Sequence, residues 1–293
     1  MAEFVLSAFA DEAGSSIEEQ ITALVENGIH YIEPRNFFGK GILALSDEEL
    51  SEIKKSLDAA KIKVNSLGSP IGKYPITEPL ENHLKDFLRA IEICKIFDTQ
   101  NMRMFSFFIP QNEDPKKYSD DVIRRLKVLA DIAKANGITL NHENEKNIFG
   151  QNPEEVDFIA DNLPEIKLIF DGANYRMCGC NVDDGINASL KNFGYFHVKD
   201  AIFESQTIVP VGHGEANYEH MLEVINERFD SKIYLTLEPH LHIFDAFKDI
   251  DHGELRGKYS FKTNREAFDF AANALKNLLT KNGYKEFNGA WTK

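Results

Sequence analysis

Glu143, Asp171, His197 and Glu238 each close a short apolar run of the sequence: ITLNHE, IKLIFD, FGYFH and KIYLTLE. Three carboxylates and one imidazole make a mostly oxygen donor set for a single divalent ion. Such a set suits Mn²⁺ or Mg²⁺, accepts Co²⁺ or Zn²⁺, and serves thiolate-seeking metals poorly. For any one pair the plainer reading is an ion pair or a hydrogen-bonded polar cap on a strand end. Four recurrences favour a shared rim, provided the strands lie side by side and point the same way. One ambiguity is local: strand alternation puts Glu143 and Glu145 on the same side, so either can be the donor of the first run.

The elements that must position these residues follow from the intervening sequence. The connections between the four runs are too long for hairpins, which implies parallel strands covered by helices. The chain opens with a strand, FVLSAFADE, whose exit carries Asp11 and Glu12, and Ser15 or Ser16 then caps a helix with apolar positions Ile17, Ile21, Leu24 and Val25. That helix closes on Asn27-Gly28 and passes directly into IHYIE. The same helix-Asn-Gly-strand phrase returns where DVIRRLKVLADIAKA meets Asn136-Gly137 and ITLNHE. Strands are expected at IKVNSLG and NMRMFSFF, and helices from about 78 to 97, over PEEVDFIADNL, around 183 to 190, from 218 to 228 and from about 264 to 279. Strict alternation of eight strands and about eight helices predicts an α/β fold, a closed (β/α)8 TIM barrel forming one domain over residues 1–293. An open doubly wound sheet is the alternative, but no glycine-rich dinucleotide motif follows the first strand. Glu33, Arg103, Glu143, Asp171, His197 and Glu238 all fall at strand exits, the end where barrels of this type keep their sites.

Composition narrows the partners. With 293 residues, 43% of them hydrophobic, the chain can bury a large core. A net charge of −14, from 33 basic and 47 acidic residues, argues against a nucleic-acid partner. The N-terminus MAEFVLSAFADEAG has no basic segment followed by an apolar one, and no run approaches the roughly 18 apolar residues of a membrane span. A cytoplasmic protein with no membrane partner is expected. Cys94, Cys178 and Cys180 are read as reduced thiols, the last two being too close in sequence to bridge easily.

Seven segments carry a family resemblance: YIEPRN at 31–36, SPIGK at 69–73, HENEKNIFG at 142–150, FDGANY at 170–175, HVKDA at 197–201, VGHGEANY at 211–218 and TLEPHL at 236–241. Over nearly its whole length the sequence resembles the xylose isomerase-like sugar isomerase/epimerase family of TIM barrels, which also includes endonuclease IV and tagatose epimerases. The resemblance implies one divalent metal held by Glu143, Asp171, His197 and Glu238, and its Glu-Asn pairing favours Glu143 over Glu145. It further implies a small carbohydrate substrate, bound through a carbonyl and the adjacent hydroxyl, with the metal as Lewis acid stabilising an enediolate. Glu143 and Glu238 are then the catalytic pair, one removing a proton and the other returning it.

Further substrate contacts are expected from Glu33, Lys73, Asn174, Lys199, Asp200, His213 and His240. Glu33 can hydrogen-bond a sugar hydroxyl or pair with Arg35 or Arg103. Lys73 can meet an anionic group, while Lys199 and Asp200 either hold substrate oxygens or neutralise one another. Asn174 stands where related epimerases carry a histidine, a departure from the pattern. His240 and His242 are spaced by two on an extended segment, with His240 the better placed for a pocket. Phe9, Phe37, Phe38, Phe107, Phe108 and Phe149 lie near the expected mouth, where rings can stack on a sugar. The alternatives to an isomerase or epimerase are an inosose-type dehydratase and a carbohydrate-binding barrel without turnover. A multi-zinc nuclease is disfavoured because strands two and three supply Glu33 and no histidine at the expected exits. A homo-oligomer is compatible with all of these.

Overall fold

A computed structural model describes residues 1–243 and 258–293. Eight parallel strands carry the fold: β1 (Glu3–Ala8), β2 (Tyr31–Ile32), β3 (Lys63–Val64), β4 (Asn101–Met104), β5 (Thr139–Glu143), β6 (Lys167–Asp171), β7 (Phe193–Val198) and β8 (Lys232–Leu237). Each pairs with its sequence neighbour except at β3 and β4, where a lone bridge between Leu67 and Met102 makes the join. β1 pairs in parallel with β8, Ser7 lying opposite Thr236, which closes the ring. This is the TIM barrel expected from the alternation.

The helices form because their starts are capped and one face of each is apolar. In α1 (Ile17–Glu26) the Ser16 side chain accepts from the Glu19 N–H, and the Glu19 carboxylate accepts from the Ser16 N–H. Ser46 with Glu49 repeats the arrangement for α2 (Asp47–Ala59), and Asn152 with Glu155 for α5 (Pro153–Asn162). α3 (Leu80–Ile96), α4 (Ser119–Ala135), α6 (Gly172–Met177), α7 (Val182–Ser189), α8 (Tyr218–Arg228) and α9 (Asn264–Lys281) complete the described helices. Gly28 and Gly137 follow α1 and α4 at φ +62° and +72°, the left-handed turn that the Asn-Gly repeats signal.

The hydrophobic core lies between strands and helices, where Phe4, Phe170, Phe196 and Tyr218 pack edge to face. The barrel interior is polar instead. The Ser7 hydroxyl donates to Asn65 Oδ1 (2.7 Å) and Asn65 Nδ2 to Thr236 Oγ1 (3.3 Å), bonds that join non-neighbouring strands and therefore cross the lumen. No helix among the described residues is long and apolar enough to cross a membrane.

Three details depart from the sequence-based expectation. NMRMFSFF is a strand only through Met104; Phe107 has φ +71°, and the N–H groups of Phe105, Phe107 and Phe108 bond instead to Ile71, Gly72 and Tyr74. IKVNSLG contributes only Lys63 and Val64. Beyond α9 the chain forms a hairpin of β9 (Lys285–Phe287) and β10 (Ala290–Thr292), which pairs antiparallel with the start of β1. Its turn is Asn288-Gly289, both at positive φ, a hairpin signal plainly present in the sequence.

Candidate functional site

The strand exits of β5 to β8 bring Glu143, Asp171, His197 and Glu238 together, all buried, with one donor atom of each within 4.8 Å of the other three. Register explains the meeting. Asp171 lies directly opposite His197 across β6 and β7, Thr236 opposite His197 across β7 and β8, and Glu238 is the residue after β8.

A cation fits this donor set on two observations. His197 Nε2 lies 3.2 Å from the Glu33 carboxylate and is taken as its N–H donor, which leaves Nδ1 with a lone pair. That Nδ1 sits 3.1 Å from Glu143 Oε1 without hydrogen-bond geometry, and Asp171 Oδ2 is buried with the Lys199 ammonium 2.8 Å away as its charged neighbour. A neutral imidazole lone pair facing a carboxylate is repulsive, so the pocket calls for positive charge, either a proton on His197 or a metal ion between the two.

The surroundings show how strongly burial and charge compete here. Burial alone would lower the pKa of His197, but Glu143 and Glu33 outweigh it and hold the imidazole up at about 10. For Glu143, burial raises the pKa while His197 and Arg103 lower it further, to about 2. Asp171 is pushed up to about 7, chiefly by burial and by Glu238 and Glu143, with Lys199 opposing. Glu238 would be raised by burial, yet Lys199, His240, His197 and Arg35 bring it well below the usual carboxylate range. Four buried carboxylates, counting Glu33, thus surround one imidazole and the buried cations Arg103 and Lys199. With Arg35 on Glu238 and a proton on His197 these charges balance, and a divalent ion would take the place of that proton.

A second layer fixes these groups. Arg103 Nη1 reaches Glu143 Oε2 at 3.2 Å, while its Nη2 donates to the Gly68 carbonyl. Arg35 spans Asp11, Glu12 and Glu238 at 3.0, 3.2 and 3.1 Å. Both guanidiniums lie over the Phe9 ring, which also meets His197 edge to face. Arg35 was visible in the sequence only as a partner for Glu33; its bond to Glu238 bridges 203 positions and has no local signal.

The remaining expected site residues divide sharply. Glu33 is fully buried and bonded to His197 and the Tyr195 hydroxyl (2.9 Å), so neither Arg35 nor Arg103 is its partner in an ion pair. Asn174 donates from Nδ2 to Glu143 Oε1 (3.3 Å) and to the Asn144 carbonyl, beside the donor cluster. Lys199 enters the cluster itself, 2.8 Å from Asp171 Oδ2 and 2.7 Å from Glu238 Oε2. Asp200 does not neutralise Lys199. Its carboxylate accepts the N–H groups of Ala201, Gly212, Gly214 and Ala216 at 2.9 to 3.0 Å, holding the loop after β7. Lys73 pairs with Glu145 (3.1 Å) and covers the Phe105 ring, which leaves Glu145 outside the donor cluster. His213 is exposed, with Nδ1 3.1 Å from the Tyr259 hydroxyl. His240, at φ +45°, lies 3.3 Å from Glu12 and 3.4 Å from Glu238. Those three residues also bring donor atoms within 4.8 Å of one another, but Arg35 already bonds the same two carboxylates. The side chain of His242 lies outside the described residues. Phe37, Phe107 and Phe149 are buried core, and Phe9 is buried beneath the Arg35 and Arg103 guanidiniums; of the six rings only Phe38 is well exposed. All three cysteines are free thiols.

Comparison with known proteins agrees with this architecture. No curated protein sequence matches the chain. The sequence profile of the xylose isomerase-like TIM barrel family matches residues 21–253, and the chain belongs to that family. Among solved structures, the IolI protein with a bound zinc atom superposes with a TM-score of 0.73 at 16% identity, covering 94% of this chain and 98% of that one. The D-psicose 3-epimerase of Clostridium cellulolyticum H10, solved with D-tagatose, gives 0.66 at 14% identity over 94% and 98%. A xylose isomerase-like TIM barrel protein of Mycobacterium smegmatis in complex with magnesium gives 0.63 at 16% identity over 94% and 97%. At these identities the likeness is one of fold.

Proposed function

We propose that the protein is a divalent-metal-dependent isomerase or epimerase of a sugar or sugar phosphate, acting by proton transfer next to a carbonyl. The observation that carries this reading is the buried meeting of Glu143, Asp171, His197 and Glu238, with His197 Nδ1 turned toward Glu143 Oε1 at 3.1 Å. Membership of the xylose isomerase-like family and the fold likeness to an epimerase support it.

Those four residues would hold the ion, with Mn²⁺ or Mg²⁺ best matched to three carboxylates and one imidazole. Bound there, it would act as a Lewis acid on a carbonyl and the neighbouring hydroxyl, acidifying the C–H between them. Glu33 keeps the His197 ring oriented through Nε2. Glu143 and Glu238 come from the two outer strands of the four, flanking Asp171 and His197. Both rest as carboxylates; one takes the substrate proton, and the other passes a proton drawn from solvent to the opposite face of the carbon.

The test is incorporation of solvent deuterium at the carbon beside the carbonyl, screened over ketoses, aldoses, their phosphates and inososes, on protein whose metal content has been measured. The wild type is expected to exchange and Glu143→Gln and Glu238→Gln to lose exchange; exchange retained by either variant would falsify the role given to that glutamate. Exchange accompanied by loss of water from an inosose would identify a dehydratase instead. Metal binding without exchange on any compound would point to a carbohydrate-binding barrel.

A further inference from the structure

The lysine inside the donor cluster lies against two of the oxygens that an ion would need. Each carboxylate beside it has one oxygen already committed elsewhere. Asp171 Oδ1 accepts the Asn174 N–H at 2.9 Å, capping α6. Glu238 Oε1 lies 3.1 Å from Arg35 Nη1 and 3.4 Å from His240 Nε2. The oxygens left for a cation are Asp171 Oδ2 and Glu238 Oε2, and Lys199 Nζ is 2.8 Å from the first and 2.7 Å from the second. An ammonium and a divalent ion drawing on the same two oxygens would stand a short distance apart and repel one another.

We propose that Lys199 is an internal counter-cation which a divalent ion must displace, so that one side chain stabilises the metal-free protein and weakens its affinity for metal. This rests on the metal site of the proposed function. The physical basis is that Asp171 and Glu238 are both buried, and two carboxylates in low dielectric need a positive partner whether or not an ion is bound. Lys199 supplies it before the ion arrives. The ion must then replace two short charged contacts rather than enter an empty cage, and its net binding energy is reduced accordingly. Lys199 acts here as a positioning residue for the cluster.

The experiment compares metal-free wild type, Lys199→Met and Lys199→Arg by thermal unfolding and by calorimetric titration with Mn²⁺ and Mg²⁺. Lys199→Met is expected to melt lower than wild type without metal, to bind Mn²⁺ about tenfold or more tightly, and to gain more in Tm when metal is added. Lys199→Arg retains the charge and should bind metal no more tightly than wild type. Equal or weaker metal binding by Lys199→Met overturns the proposal, as does an arginine variant that binds as tightly as the methionine one. If Lys199→Met folds only with metal present, that supports the proposal, and the arginine comparison still tests it. Metal affinity that changes as expected, in a protein that exchanges no sugar proton, would leave the counter-cation standing and sink the proposed activity. Sugar exchange with unchanged metal affinity would do the reverse.

Discussion

The two sides of the barrel are built to different specifications. β5 to β8 are five or six residues long and pair along several residues each, with one register shift between Leu168 and Ile169 where β6 meets β7, whereas β2 and β3 have two residues each and the bridge from Leu67 to Met102 is a single contact. The long side carries the donors Glu143, Asp171 and His197 within its strands and Glu238 just beyond, so their separations are set by backbone ladders. The short side contributes mainly through loops, such as SPIGK, and through single side chains that reach across, such as Glu33 to His197. The difference teaches that a cluster of convergent side chains is placed by regular strand pairing, while the groups that surround it can come from irregular segments.

The comparison breaks most clearly at Glu143. Glu143→Gln on the long side should cut proton exchange at least about a hundredfold while leaving the far-ultraviolet circular dichroism unchanged. A variant with normal turnover would show that the strand-borne cluster is not where the chemistry occurs. Across the lumen, Glu33→Gln should weaken metal affinity by about ten- to a hundredfold, because His197 loses the partner that fixes its ring and tautomer. Unchanged affinity in a calorimetric titration would mean that the two sides work independently.

Smaller effects probe the short side alone. Gly72 stands at φ +88°, and a Cβ there would lie 2.0 Å from the Phe105 carbonyl oxygen. Gly72→Ala is expected to cost about 2–3 kcal/mol in urea unfolding by displacing the pairing of 71–74 with 105–108. The smallest effect concerns His83, whose Nε2 accepts the Gly72 N–H at 2.9 Å. Burial holds its pKa below the ordinary 6.5, with Asp86 opposing. A depressed histidine contributes stability that is complete above its unfolded pKa and is lost as pH falls below it, because the unfolded chain takes the proton more readily. Below pH 6.5 the wild type should therefore lose stability more steeply than His83→Gln, and parallel pH profiles would remove His83 from the account.

The same division decided what could be read from the sequence. ITLNHE, IKLIFD and KIYLTLE announce both their strands and their terminal donors, since alternation and a closing carboxylate are local properties. The caps at Ser16, Ser46 and Asn152 are local too. NMRMFSFF misleads because its apolar run continues past Met104, while the backbone turns at Phe107 to pair with a loop. Lys199 and Asp200 are adjacent in sequence, yet one faces the donors and the other a ring of N–H groups, a choice made by tertiary packing. The Asn288-Gly289 hairpin was legible, but it lies beyond the eight units that completed the barrel pattern.

The ring of backbone amides around Asp200 has its own consequence. Gly214 could carry no side chain there, since a Cβ would stand 2.3 Å from Asp200 Oδ1. The segment from Gly212 to Ala216 is folded around an anion belonging to the chain itself. This edge of the mouth is consequently shaped during folding, and an arriving molecule meets a finished wall whose ordering entropy no longer opposes the encounter.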